Sequence, residues 1–111
     1  MKIYGDKQII ATLGDRGGFS TRFWRDFESG ETLTLRASKA IGEPVVIEKT
    51  ATLDGNTATF EFEPEDTDEL DAGVYVYDIR LDGGAQGPFT VLPHRNPLTG
   101  AKRTLTLEAR V

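Results

Sequence analysis

Residues 54–81 read DGNTATFEFEPEDTDELDAGVYVYDIRL, and this block leaves few architectures open to the chain. Asp54-Gly55-Asn56 is a reversal, because glycine accepts the positive φ that a tight turn between two extended runs requires. Beyond it Ala58, Phe60 and Phe62 alternate with Thr57, Thr59, Glu61 and Glu63, giving one apolar and one wet strand face. Pro64 closes that strand. Residues 64–70 then read as a single helical turn, with proline in its first turn and acids near the positive end of its dipole. Leu70 is placed to plug one end of the core. From Gly73 a longer strand sets Tyr75, Tyr77, Ile79 and Leu81 on one face and Val74, Val76, Asp78 and Arg80 on the other. Apolar residues on both faces near its start predict a central strand.

The rest of the chain repeats this grammar. Residues 8–13 form a short apolar run that ends in the Gly14-Asp15-Arg16-Gly17-Gly18 cluster, read as a turn or bulge. Phe19, Thr21 and Phe23 then alternate with Ser20, Arg22 and Trp24. Residues 31–38 alternate most cleanly, with Leu33, Leu35 and Ala37 facing a core. Gly42-Glu43-Pro44 breaks the chain before a strand over 45–53. Residues 82–87 return it into 88–92, where Phe89 and Val91 point inward. A polar loop over 93–102 leads to a last strand, 103–111, with Leu105, Leu107, Ala109 and Val111 aligned. Short strands separated by turn signals, with no amphipathic helix, predict one all-β domain over 1–111. Its expected form is an immunoglobulin-like antiparallel β-sandwich, with a partly open β-barrel as the alternative. Residues 1–13 and 103–111 are the candidate edge or swapped strands, since unpaired edges recruit partner strands.

Composition excludes several function classes. The chain of 111 residues contains no cysteine, which removes disulfides, thiolate metal sites and thiol catalysis and points to a reducing compartment. A formal net charge of −5 with scattered basic residues argues against a nucleic-acid partner. No run resembles a signal peptide, and no apolar stretch approaches the roughly 20 residues that span a bilayer, so no membrane role is expected.

Candidate chemistry is sparse. His94, the only histidine, lies between Pro93 and Arg95 in a polar loop and is read as an exposed loop residue, since no Ser-His-Asp or Cys-His arrangement assembles around it. Asp66, Asp68, Glu69 and Asp71 invite a calcium reading, but the spacing of a calcium loop is absent, and a solvated capping turn accounts for them better. The glycine cluster at 14–18 fails as a phosphate cradle, because no Lys-Ser or Lys-Thr follows and a strand, not a helix, comes next. Asp78 is expected to pair with Arg80 or with a neighbouring strand. No catalytic residue, cofactor or metal is therefore assigned. Aromatics in small β-domains usually pack in the core or at an edge, and the cluster Phe23, Trp24 and Phe27 is otherwise the one candidate contact surface; with the last strand it yields Trp24, Phe27, Leu105 and Leu107 as candidate interaction residues.

Several phrases together resemble a domain of tailed-phage and prophage structural proteins, related to the immunoglobulin-like N-terminal module of baseplate upper proteins. They are Gly14-Asp15 with Phe19-Ser20-Thr21, Thr59-Phe60-Glu61-Phe62, Pro64-Glu65-Asp66-Thr67, Gly73-Val74-Tyr75-Val76-Tyr77-Asp78-Ile79, and Phe89-Thr90-Val91. The resemblance is loose over 14–91, closer over 57–79, and absent from 1–13 and 103–111. It implies a non-enzymatic virion module of tail, baseplate or head that contacts other virion proteins or itself, in the virion or in the bacterial cytoplasm when expressed from a prophage. A carbohydrate-binding β-sandwich, with Trp24 as a stacking platform, is the alternative.

Overall fold

In a computed structural model the described residues are 1–3, 8–84, 88–95 and 100–109. Ten strands carry the fold: β1 (Lys2–Ile3), β2 (Ile9–Thr12), β3 (Gly17–Arg22), β4 (Thr32–Ser38), β5 (Val45–Thr50), β6 (Thr52–Asp54), β7 (Thr57–Phe62), β8 (Gly73–Asp82), β9 (Phe89–Leu92) and β10 (Thr104–Glu108). A larger sheet in the order β1-β2-β10-β8-β4-β5, with β9 also on β8, faces a three-stranded sheet, β3-β7-β6. This is an all-β sandwich, with two separate sheets and no closed barrel. Every pairing is antiparallel except β2 with β10, which run parallel from Ile9↔Leu105 to Thr12↔Glu108.

β8 is the central strand its sequence predicts. One edge pairs with β4 from Val76 to Asp82, while the other is shared by β10 near Gly73–Val76 and β9 near Ile79–Leu81. β9 and β10 are thus one line of strand, interrupted by the 93–103 excursion. That excursion is tied back by the Arg95↔Lys102 bridge and by the Tyr77 N–H, which donates to Arg103 O at 3.0 Å. Tyr75, Tyr77, Ile79 and Leu81 all point into the core, and burial pushes the Tyr77 hydroxyl above its ordinary pKa while the Arg103 charge pulls the other way. From the facing strands come Leu33, Leu35 and Ala37 of β4 and Ala58, Phe60 and Phe62 of β7, each at most 2% exposed. Leu70 packs against this core from the connector, as expected.

The predicted Asp-Gly hairpin joins β6 to β7, with Gly55 at φ 60°. Its companion turn, Pro64–Asp66, is a 3₁₀ turn closed by a capping box between Glu63 and Asp66. The Thr67 hydroxyl, buried behind it, accepts the Gly14 N–H at 2.8 Å and pins the β2–β3 turn to the connector.

Four expectations are corrected. The strand read over 45–53 is two strands: the chain leaves the larger sheet at Ala51, whose N–H donates to Leu33 O, and enters the smaller one. Gly17 and Gly18 already belong to β3 instead of the turn before it. His94 is half-buried, not exposed, because its carbonyl accepts the Arg103 N–H as the excursion closes. Most consequentially, β10 is no edge: it lies between β2 and β8, and Leu105 and Leu107 are 0% and 1% exposed. Ala109 is exposed, and Val111 lies outside the described residues.

Phe60→Ala should lower unfolding stability by about 3–5 kcal/mol, the usual cost of a phenylalanine-sized hole. Val74→Thr, at a position 60% exposed on the outer face of β8, should stay within about 0.5 kcal/mol. Urea unfolding of the two variants checks both.

Candidate functional site

The site is built where β3 runs out. Past Arg22 the backbone bends out of the strand, and the neighbouring Phe23 and Trp24 are 7% and 67% exposed. The chain then loops over 23–31 against the β6–β7 hairpin: Phe23 N–H donates to Asn56 O at 2.7 Å and Phe27 N–H to Gly55 O at 2.8 Å. Asn56 Nδ2 returns a longer bond to Phe23 O at 3.4 Å. The turn that sequence identifies as a reversal therefore also anchors the aromatic loop.

An ion pair between half-buried Arg25 and buried Glu31 braces the same loop. Arg25 donates to both carboxylate oxygens of Glu31 at 2.9 Å, and the Glu28 N–H donates to Glu31 Oε1 at 2.5 Å. The Glu31 side chain has no accessible surface. These donors, the Arg25 guanidinium first, favour the charged form over its loss of hydration and hold the Glu31 carboxyl down to about 2, from an ordinary 4.5. The Arg25 guanidinium also lies 5.1 Å from the centre of the Phe23 ring. From above, the turn is closed by Gly83 at φ +80°, where an added Cβ would meet Gly30 O at 2.2 Å. Only glycine lets the end of β8 approach so closely.

On this frame the aromatic rings stack. Phe23 lies 3.8 Å from Trp24 and 4.7 Å from Phe27, centroid to centroid, and Trp24 meets Phe89 of β9 at 6.1 Å with its plane tilted. Beside them a cleft of about 470 Å³ opens between the sheets. Ile9, Leu33, Tyr77 and Ile79 line its floor, Phe23 and Phe27 one end, and residues 19–22 of β3 and Val91-Leu92 of β9 its two lips. The lining is chiefly apolar, with Ser20, Thr21 and Arg22 as polar members. That combination suits an apolar side chain or ligand better than a reacting polar group.

Of the four candidate interaction residues, Trp24 and Phe27 come together here, and Leu105 and Leu107 do not. The last two are core residues on β10, so the reading of them as free surface is overturned by burial. Sequence reasoning missed Phe89, the cleft and the Arg25–Glu31 pair. The pair leaves a trace, because charges interrupt the aromatic run of Phe23, Trp24 and Phe27. The cleft leaves none, since it depends on how far apart two sheets stand.

The other candidates resolve into structure. Asp66 accepts from Glu63 N–H at 2.7 Å and from Lys49 Nζ at 2.9 Å, so it is a cap and an ion-pair partner. Asp71 faces Lys39 at 3.6 Å with its side chain 85% exposed. Asp78 pairs across the sheet with Arg36 at 3.5 Å, while Arg80 turns to Asp82. His94 lines a shallow hollow with Tyr77, Asp78 and Ile41. Among the described residues no three His, Asp or Glu side chains are grouped to hold a metal ion, and no helix is long and apolar enough to cross a membrane. No protein-family model, curated protein or solved structure matches the chain.

The depressed Glu31 carboxyl sets a pH dependence. Its folded pKa lies below the unfolded one, so its stabilising contribution is complete above about 4.5 and is lost as pH falls through about 2. Trp24, the sole tryptophan, reports it: between those values its fluorescence should become more accessible to acrylamide. Glu31→Gln should be more accessible already at pH 7 and should lose that part of the acid response.

Proposed function

We propose that this chain is a non-enzymatic assembly module that works through protein–protein contact. The observation that carries this reading is Trp24, 67% exposed and yet fixed by a stack on Phe23 over an ion-paired loop, beside an apolar cleft. A rigid aromatic ring loses little freedom on contact, and such residues dominate the energetics of interfaces. The sequence resemblance adds a setting: a tail, baseplate or head accessory of a phage or prophage, in the virion or in the bacterial cytoplasm beforehand, contacting other virion proteins or copies of itself.

The same ring favours one competing reading, a carbohydrate-binding module in which Trp24 and Phe89 form a stacking platform for a sugar face. The two readings separate on what touches position 24. A photo-crosslinking p-benzoylphenylalanine at that position, in bacteria producing the virion proteins, should form an adduct with one defined polypeptide. Glycan-array binding that Trp24→Ala removes, with no protein adduct, would replace assembly by carbohydrate recognition. Under the assembly reading Trp24→Ala should leave the chain folded, at a cost of about 0.5–1.5 kcal/mol for the lost stack on Phe23. It should weaken the contact by about 2 kcal/mol or more, some thirtyfold. Circular dichroism and titration against the crosslinked partner check the two halves.

A further inference from the structure

Among the described residues, two sheets of unequal width leave one side of the sandwich uncovered. The smaller sheet ends at β3, and among the described residues no strand pairs with the outer edge of β3. Other edges are short or irregular: β1 has two residues, β6 has three, and the pairing of β5 with β4 shifts register at Ala37/Ser38. β3 has six residues, keeps register with β7 over all of them, and contains neither proline nor lysine. Because Phe23 N–H points to Asn56 on the β7 side, alternation turns the N–H and C=O groups of Gly18, Ser20 and Arg22 outward.

The cleft lies under that edge. Its lining includes five consecutive residues, 19–23, and a strand shows consecutive residues to a space only when it presents its edge instead of one face. We infer that this edge receives an additional β-strand from a second protein, an extended segment with apolar residues at alternate positions and an acidic residue near Arg22. Main-chain bonds to Gly18, Ser20 and Arg22 would supply affinity, and the apolar face would fill the cleft between Phe23 and Val91. Charge selects the acid: Arg22 is exposed and makes no ion pair among the described residues, whereas Arg16 and Arg25 are held by Glu63 and Glu31. The chain's own net charge of −5 disfavours a second copy as the donor. The inference rests on the protein-contact reading and gives that contact its geometry.

The test uses the whole chain and a synthetic peptide, acetyl-Thr-Val-Asp-Val-Thr-Ile-Thr-amide, followed by Trp24 fluorescence. Two further peptides carry N-methyl groups at the apolar or at the polar positions. The parent peptide should bind saturably, and one methylated peptide should match it. The other, its protein-facing amides blocked, should bind about tenfold more weakly or worse. Replacing the peptide's aspartate by lysine should also weaken binding. Equal binding of both methylated peptides, or no binding of the parent, overturns strand addition. A concentration-dependent dimer that Ser20→Pro dissolves assigns the edge to a second copy, and saturable dodecanoate binding without peptide binding assigns the cleft to a small apolar ligand. Either result overturns the inference. A protein adduct from position 24 alongside failed peptide binding would leave the contact reading standing and remove only its strand geometry.

Discussion

Ten residues of β8 supply backbone pairing to three other strands while placing four large side chains in one row. That double duty is the constraint on which the rest depends. A strand with neighbours on both edges cannot slip by one residue, because a slip would carry Tyr75, Tyr77, Ile79 and Leu81 to the outer face and leave the facing Phe60 and Phe62 without a core. With no disulfide and no metal-binding group among the described residues, this apolar row and its hydrogen bonds hold the sheets together. β9 and β10 are fixed by the same strand, and their interruption at 93–103 decides where the larger sheet stops being covered.

The candidate site follows from that geometry. β2 covers the outer edge of β10 but not of β9, so among the described residues the side of the sandwich between β9 and β3 stays open. The 23–31 loop sits at one end of the opening. Its order does not come from burial alone: the Arg25–Glu31 pair and the bonds to the β6–β7 hairpin hold it from two sides. Removing Arg25 would leave the Glu31 carboxylate, whose side chain has no accessible surface, without its ion partner, so the pair constrains the loop conformation. This is why a single tryptophan can be both exposed and fixed.

Much of the fold was legible in local pattern, and each error has a physical source. Period-two alternation found the inward rows of β4, β7 and β8, and Asp54-Gly55 found the hairpin, because both signals depend on neighbours in sequence. The sheet change at Ala51 was invisible, since a chain crossing between sheets keeps the composition of a strand. Arg103 to Val111 looked like an edge because it is terminal, but its place is set by parallel pairing to β2, a contact between residues nearly a hundred apart. Leu105 and Leu107 were misread for that reason alone. The same distance hides the site: Trp24 and Phe27 were recognisable as aromatics, but Phe89 and the cleft enter only when β9 is laid beside β8.

By itself the sequence determined the all-β class, the inward residues of the main strands, the turn chemistry at 54–56 and 63–67, and the lack of thiol chemistry. These follow from side-chain period, glycine's tolerance of positive φ, proline's fixed geometry and composition, all of which act within a few residues. Only the tertiary structure decided which strands are edges, that Arg25 pairs with a buried Glu31, and that Trp24 stands beside an apolar cleft. Those are matters of long-range pairing and sheet separation, where the free energy of many burial contacts, and no local preference, selects the outcome.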